Sequence, residues 1–194
     1  MPVRKLTLVA LPGIPEIVRG ANLATLLLTA VKRAGEILKS GDVMVLAQKI
    51  VSKAEGRLVR LTEVTPSARA LELAEITGKD PRLVELMLRE SREVMRAKPG
   101  VLIAEHRLGF VMAGAGVDQS NVPGASAEEC ALLLPENPDA SARRIQEELR
   151  AACGIAVGVL INDSFGRAWR NGVTGVALGV AGVPALVDLR GRPA

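Results

Sequence analysis

With 194 residues, 48% of them hydrophobic, the chain can bury a sizeable core as one ordinary domain or as two small lobes sharing a core. Charged residues make up 24%, and no apolar run approaches the ~20 residues needed to cross a bilayer, which excludes a membrane span. Aromatic residues at 2%, with no Tyr, remove the stacking platforms of single-stranded nucleic-acid binders, while a net charge of +4 suits anionic small molecules.

At the N-terminus, Pro12 and Gly13 break a short apolar stretch before a signal-peptide core can form, so the expected location is cytoplasmic. Residues 5–10 read as a first strand, ending in the irregular loop Leu11-Pro12-Gly13-Ile14-Pro15. Asn22 is an N-cap for a helix over 23–39, whose apolar residues fall at helical spacing. Gly41-Asp42 turns into a continuous apolar run over 43–47, which predicts a central strand buried on both sides. Thr65-Pro66 and Asp80-Pro81 open two helices running to about Thr77 and Ala97, and Gly78 stops the first.

Residues 101–104 and 110–113 read as strands joined in a hairpin, with the single histidine, His106, exposed in its turn. A loop over 116–138 precedes an amphipathic helix marked by Ala142, Ile145, Leu149 and Ala152 and ended by Gly154. A second buried strand over 155–161 stops at Asn162-Asp163-Ser164, and a last strand spans about 173–180. Cys130 and Cys153 lie far apart outside any CxxC pattern; both read as buried small hydrophobes rather than a disulfide or zinc site. No internal repeat or low-complexity tract appears, and the whole is a mixed α/β (α+β) arrangement.

Three polar clusters interrupt these apolar elements. They are residues 48–57, with Gln48, Lys49, Lys53 and Arg57; residues 116–121, with Asp118 and Asn121; and residues 162–167, with Asp163, Ser164 and Arg167. Hard cations such as Mg²⁺ and Mn²⁺ take carboxylate, hydroxyl, water and phosphate oxygens, the chemistry of Asp118, Asp163 and Ser164. Lys49, Lys53 and Arg167 would offset phosphate charge. Any one cluster alone reads first as turn formers or solvated charge, and only the three together point to a nucleotide with its metal. No Walker-type GxxxxGK[ST] or GxGxxG motif is present. Trp169 reads as a partly buried structural residue.

The strings themselves are more specific. Gly41-Asp42-Val43, continuing through Ala47-Gln48-Lys49-Ile50-Val51-Ser52-Lys53-Ala54-Glu55-Gly56-Arg57, resembles the signature of the coenzyme F420:L-glutamate ligases. In order along the chain, Leu11-Pro12-Gly13-Ile14, Gly78-Lys79-Asp80-Pro81-Arg82, Ala115-Gly116-Val117-Asp118-Gln119-Ser120-Asn121-Val122, Leu133-Leu134-Pro135 and Asp163-Ser164-Phe165-Gly166-Arg167-Ala168-Trp169-Arg170 are similar to the same family, so nearly the whole chain is covered.

The resemblance implies a gamma-glutamyl ligase-like fold with mixed sheets and flanking helices in an intertwined homodimer. It further implies GTP as co-substrate, L-glutamate and the glutamate-free cofactor F420-0 as substrates, and Mg²⁺ or Mn²⁺, two ions, with a place for K⁺. It places Leu11, Pro12, Gly13, Ile14, Gln48, Lys49, Lys53 and Asn121 around GTP, and makes Asp118, Asp163 and Ser164 metal ligands, with Asp118 and Asp163 at the chemistry. Ser164 stands where threonine is more usual and Gly114 where asparagine is frequent. Family members continue beyond the region of Arg192 into a segment that supplies a further acidic ligand. The expectation is therefore one ligase-like domain over 1–194 without that segment; the alternative is an incomplete nucleotide-binding dimer module.

Overall fold

The computed structural model describes residues 5–119, 130–166 and 171–191. In chain order these form α1 (Leu23–Arg33), β1 (Val43–Ala47), α2 (Gln48–Ala54), β2 (Leu58–Arg60), α3 (Ala68–Thr77), α4 (Pro81–Arg89), β3 (Ser91–Lys98), β4 (Val101–His106), β5 (Val111–Ala113), β6 (Cys130–Leu132), α5 (Pro138–Cys153), β7 (Gly158–Gly166) and β8 (Val173–Ala181). The mixed α/β class read from the sequence is the class observed.

Asn22 caps α1 as expected, its side chain accepting the Thr25 N–H at 2.8 Å, and Leu23, Ala24, Leu27, Ala30 and Val31 form the buried stripe. The helix ends at Arg33 rather than Lys39. Gly35, at φ 71°, donates to Lys32 O while Glu36 donates to Val31 O, the paired bonds of a Schellman stop. That stripe packs on a core with β1, α2, α5, β7 and β8 built from Leu46, Val51, Ile145, Leu149, Val159 and Ile161. In this sheet the order is β1-β7-β8, with β7 parallel to β1 and antiparallel to β8.

β1 is thus an edge strand, not the central one expected. Met44 and Leu46 face the core, whereas Val43 and Val45 are 43% and 63% exposed. β7 is the central strand and does not stop at Asn162; β8 pairs with it through Gly166 after a bulge between Ile161 and Asn162. The expected first strand over 5–10 is also absent. That stretch has no regular structure, and Leu6 and Leu8 are 83% and 86% exposed, because no strand among the described residues takes its backbone.

The second set of elements surrounds the antiparallel sheet β3-β4-β5, on which α3 and α4 pack through Leu73, Val84, Met87 and Leu102. Ser67, rather than Thr65, caps α3, accepting the Ala70 N–H, and Gly78 closes it. Asp80 and Pro81 open α4, but the helix ends at Arg89, not near Ala97. Residues 91–98 form a strand whose two register shifts leave Ser91, Val94 and Ala97 as its less exposed positions, so two bulges give a strand the spacing of a helix.

The hairpin of β4 and β5 forms as expected, but His106 in its turn is fully buried. Within the expected loop over 116–138, β6 pairs with β2 and all three of its residues are buried; three residues are too few to show a period. Cys130 is buried, whereas Cys153 in the last turn of α5 is only half-buried. Met112, Leu134 and Leu178, with Phe110 and Phe165 edge-to-face at 6.3 Å between ring centres, join the two sets of elements.

Candidate functional site

Parallel pairing of β1 with β7 sets Ala47 opposite Asn162, so the first turn of α2 emerges beside Asp163. Gln48 and Ser52, one helical turn apart, are both buried, and the Ser52 hydroxyl donates to Gln48 Oε1 at 3.0 Å. With its oxygen so engaged, the Gln48 amide presents N–H donors, and Asp163 receives a hydrogen bond from Gln48. Lys49, the next residue, forms an ion pair with Asp118, each side chain about 30% exposed.

Asp118 comes from the other set of elements. Its backbone exchanges two hydrogen bonds with Leu132, N–H to O at 3.0 Å and O to N–H at 2.7 Å. The turn before it, Gly114-Ala115-Gly116, has three consecutive positive φ angles of 59°, 49° and 68°. Ala115 is buried in this conformation, a local strain that the surrounding core holds in place. A Cβ on Gly116 would lie 2.8 Å from the Leu134 side chain, so the turn seats directly on that core residue.

Burial pushes the Asp163 carboxyl above the usual carboxylate range. The Ser164 backbone N–H opposes this, Asp118 adds to the push, and Lys49 and Gln48 pull it back without restoring it. The arrangement therefore gathers the Asp118 and Asp163 carboxylates with the Lys49 ammonium at the junction of the two sets of elements.

Ser164 follows Asp163 on β7, and strand alternation turns its exposed side chain away from that of Asp163. Opposite it, Gly175 leaves room for Asn162: a Cβ there would stand 3.1 Å from Asn162 Oδ1. Lys53 lies one turn beyond Lys49 on the same face of α2 and is half-buried. Leu11 and Ile14 pack against the first core, while Pro12 and Gly13 are exposed and Gly13 O accepts from Arg33 at 3.1 Å. The loop's described hydrogen bond thus ties it to α1 rather than to the carboxylates. Asn121, Arg167 and Trp169 lie outside the described residues.

Among the described residues no group of three or more His, Cys, Asp and Glu side chains is arranged to hold a metal. Asp118 and Asp163 are nevertheless two hard oxygen donors close enough for Asp118 to raise the Asp163 pKa, and Mg²⁺ or Mn²⁺ bound through two carboxylates plus phosphate and water oxygens fits that chemistry. A cleft of about 660 Å³ lies elsewhere, between the start of α1, the end of α2 and α5. Within it Glu55 Oε1 accepts from Ser141 at 2.5 Å and from Arg144 at 2.9 Å. None of the residues expected around a nucleotide or metal lines it.

A second charged cluster was not visible in the sequence. Glu90, the buried C-cap of α4, receives Arg57 at 2.9 Å and Arg107 at 3.2 Å on one oxygen, Oε2. His106 Nδ1 accepts the Leu108 N–H at 3.0 Å, which leaves Nε2 as the ring's donor, 3.4 Å from the same oxygen. That contact is electrostatic rather than a well-formed hydrogen bond, because Nε2 is buried without an aligned acceptor among the described residues. Burial pushes the Glu90 carboxyl up, but His106, Arg57 and Arg107 outweigh it and hold the pKa at about 2. Sequence gives no sign of this cluster, since Glu90 and His106 carry no pattern that distinguishes buried from solvated charge.

The pattern of the F420-0:Gamma-glutamyl ligase family matches residues 13–194. The coenzyme F420:L-glutamate ligase of Methanothermobacter thermautotrophicus is 44% identical over 187 residues, covering 96% of this chain and 73% of that protein. The enzyme of the same name from Methanopyrus kandleri is 51% identical over 154 residues, covering 79% of this chain and 60% of its own length. That of Halobacterium salinarum is 45% identical over 189 residues, covering 94% and 69%.

Proposed function

Since the chain belongs to the F420-0:gamma-glutamyl ligase family, we propose that it carries out GTP- and divalent-metal-dependent addition of L-glutamate to coenzyme F420-0. The observation that carries this reading is the meeting of Lys49, Asp118 and Asp163, brought from α2, the segment before β6 and β7. One cation and two carboxylates suit a polyphosphate bound with its metal better than they suit each other.

In this reading a carboxylate oxygen of F420-0 attacks the γ-phosphorus of GTP, and GDP leaves. The glutamate amine then attacks the acyl phosphate's carbonyl carbon, loses a proton, and expels inorganic phosphate to leave an amide; later rounds form γ-glutamyl links. Asp118 and Asp163 would hold the divalent ions, which supply charge neutralisation for the phosphates. Ser164 enters as a ligand on the family resemblance alone. Lys49 and Lys53, on one face of α2, would bind phosphate oxygens, and Gln48, locked by Ser52, would keep Asp163 oriented. The loop of Leu11, Pro12, Gly13 and Ile14, with Asn121, would complete the guanine nucleotide site. No protein nucleophile is needed.

We also propose a cytoplasmic homodimer. The exposed apolar stretch over 5–10 and the exposed Val43 and Val45 of β1 support a partner copy, and no helix of the described residues is long and apolar enough to cross a membrane. The test of activity is incubation of the full protein with GTP, L-glutamate, F420-0 and Mg²⁺ or Mn²⁺, with ATP in parallel, followed by mass analysis. The expected products are F420 species bearing added glutamates, formed with GTP. No product under any metal and nucleotide would overturn the ligase reading.

A further inference from the structure

We infer that Glu90 is a positioning residue for Asp118, acting through Arg57 and Arg107 on the chain segment that follows β6. The inference rests on the metal and nucleotide reading of Asp118 given above. Neither Glu90 nor its partners belongs to the three polar clusters at the site, apart from Arg57 at the end of the first.

The Asp118 backbone is tied to Leu132 by the reciprocal pair of hydrogen bonds. What fixes Leu132 and its neighbours therefore helps to fix Asp118. Arg57 O accepts the Leu133 N–H at 3.1 Å, and Arg57 Nε donates to Leu134 O at 2.9 Å, so this residue grips the segment from both sides of its own backbone. Two residues further on, Arg107 donates to Glu136 O at 3.2 Å. Both guanidiniums are themselves anchored on Glu90 Oε2, and the Arg107 N–H donates to Glu90 O at 2.9 Å.

Arg57 also reaches the opposite side of the site. Its N–H donates to Ser52 O at 2.9 Å, which joins it to the helix that carries Gln48 and Lys49. One carboxylate thus holds the arginine that spaces the Lys49 helix from the Asp118 segment. An unanchored arginine has many rotamers, whereas one fixed at the guanidinium by a buried carboxylate presents its Nε and backbone in one place. A neutral side chain of the same size at position 90 would keep the packing and release the arginines.

The test is Glu90→Gln in the full protein, read by amide hydrogen exchange and by titration with Mn²⁺. Protection of the Leu132 and Asp118 amides is expected to fall about tenfold, the equivalent of one charge-assisted hydrogen bond. Mn²⁺ affinity should fall by a similar factor, while the Leu149 amide in the first core keeps its protection. A purely structural role would instead lower the melting temperature while leaving the protection of Leu132 relative to Leu149, and the Mn²⁺ affinity, as in the parent; that result overturns the inference. Should Glu90→Gln not fold, Arg107→Lys keeps the charge and loses the fork that reaches Glu136, and is expected to give the same pattern at smaller size; unchanged Leu132 protection there overturns it equally. If the parent protein binds no Mn²⁺, the metal reading fails on its own, and loss of Leu132 protection still decides whether Glu90 fixes the Asp118 segment.

Discussion

Two charged clusters are both tied to the segment from Leu132 to Glu136, and they are built on opposite principles. Around Glu90 one buried carboxylate faces two arginines and a histidine, and its pKa is held at about 2. At the junction of α2 and β7, two carboxylates share one lysine in a half-exposed setting, and the pKa of Asp163 is raised. The first cluster sets its carboxylate among positive partners and ties elements of the fold together. The second sets two carboxylates close enough for one to raise the pKa of the other, a setting that favours a cationic partner, and perturbed groups of that kind gather at sites of binding or catalysis.

The largest effect that would sharpen this contrast is on stability. Glu90→Ala leaves two buried-edge arginines without their anion and is expected to cost roughly 3–5 kcal/mol in chemical denaturation. A loss below about 1 kcal/mol would place Glu90 among ordinary surface charges. Acid should act on the same group. Because the folded pKa of about 2 lies below the ordinary 4.5, Glu90 contributes its full stabilisation above pH 4.5 and loses it as pH falls from there through 2. The shift corresponds to about 3 kcal/mol, and a Glu90→Gln variant should show a correspondingly flatter dependence of unfolding free energy on pH in that window.

The junction cluster should respond the other way. Asp163→Asn removes a charge that burial and Asp118 both oppose, so stability is expected to stay within about 1 kcal/mol of the parent, on the stabilising side. A marked destabilisation would make Asp163 a structural residue like Glu90. Smallest of all should be Lys49→Met, since the Lys49–Asp118 pair is about 30% exposed at each end and such pairs contribute roughly 0–1 kcal/mol. Denaturation midpoints of the two variants, measured together, check both.

The same contrast explains what could be read from the sequence. Most local signals carried through: Asn22 and Asp80 cap helices, Gly78 and Gly154 end them, and the β4–β5 hairpin closes where its turn residues predict, although Ser67 rather than Thr65 caps α3 and Gly35 stops α1 short of Lys39. Signals that depend on partners did not. The bulged strand at 91–98 mimics helical spacing, β6 is too short to show any period, and β1 has an apolar run yet sits at a sheet edge. For the site, the family strings name Gln48, Lys49, Asp118 and Asp163, but their convergence depends on the β1–β7 register and the Asp118–Leu132 bridge, both contacts between distant parts of the chain. Glu90 and His106 stayed hidden because charge in a sequence is silent about burial.

The central claim is that Asp118 and Asp163 form the metal and triphosphate site. It is tested most directly by titrating the full protein with Mn²⁺ in the presence and absence of GTP, alongside folded Asp163→Asn. The account predicts that GTP and Mn²⁺ each strengthen the binding of the other in the parent. It also predicts that Asp163→Asn weakens Mn²⁺ binding on the order of 10²-fold and lowers turnover to match, with no loss of melting temperature. Parent-like Mn²⁺ affinity and GTP coupling in Asp163→Asn would contradict it.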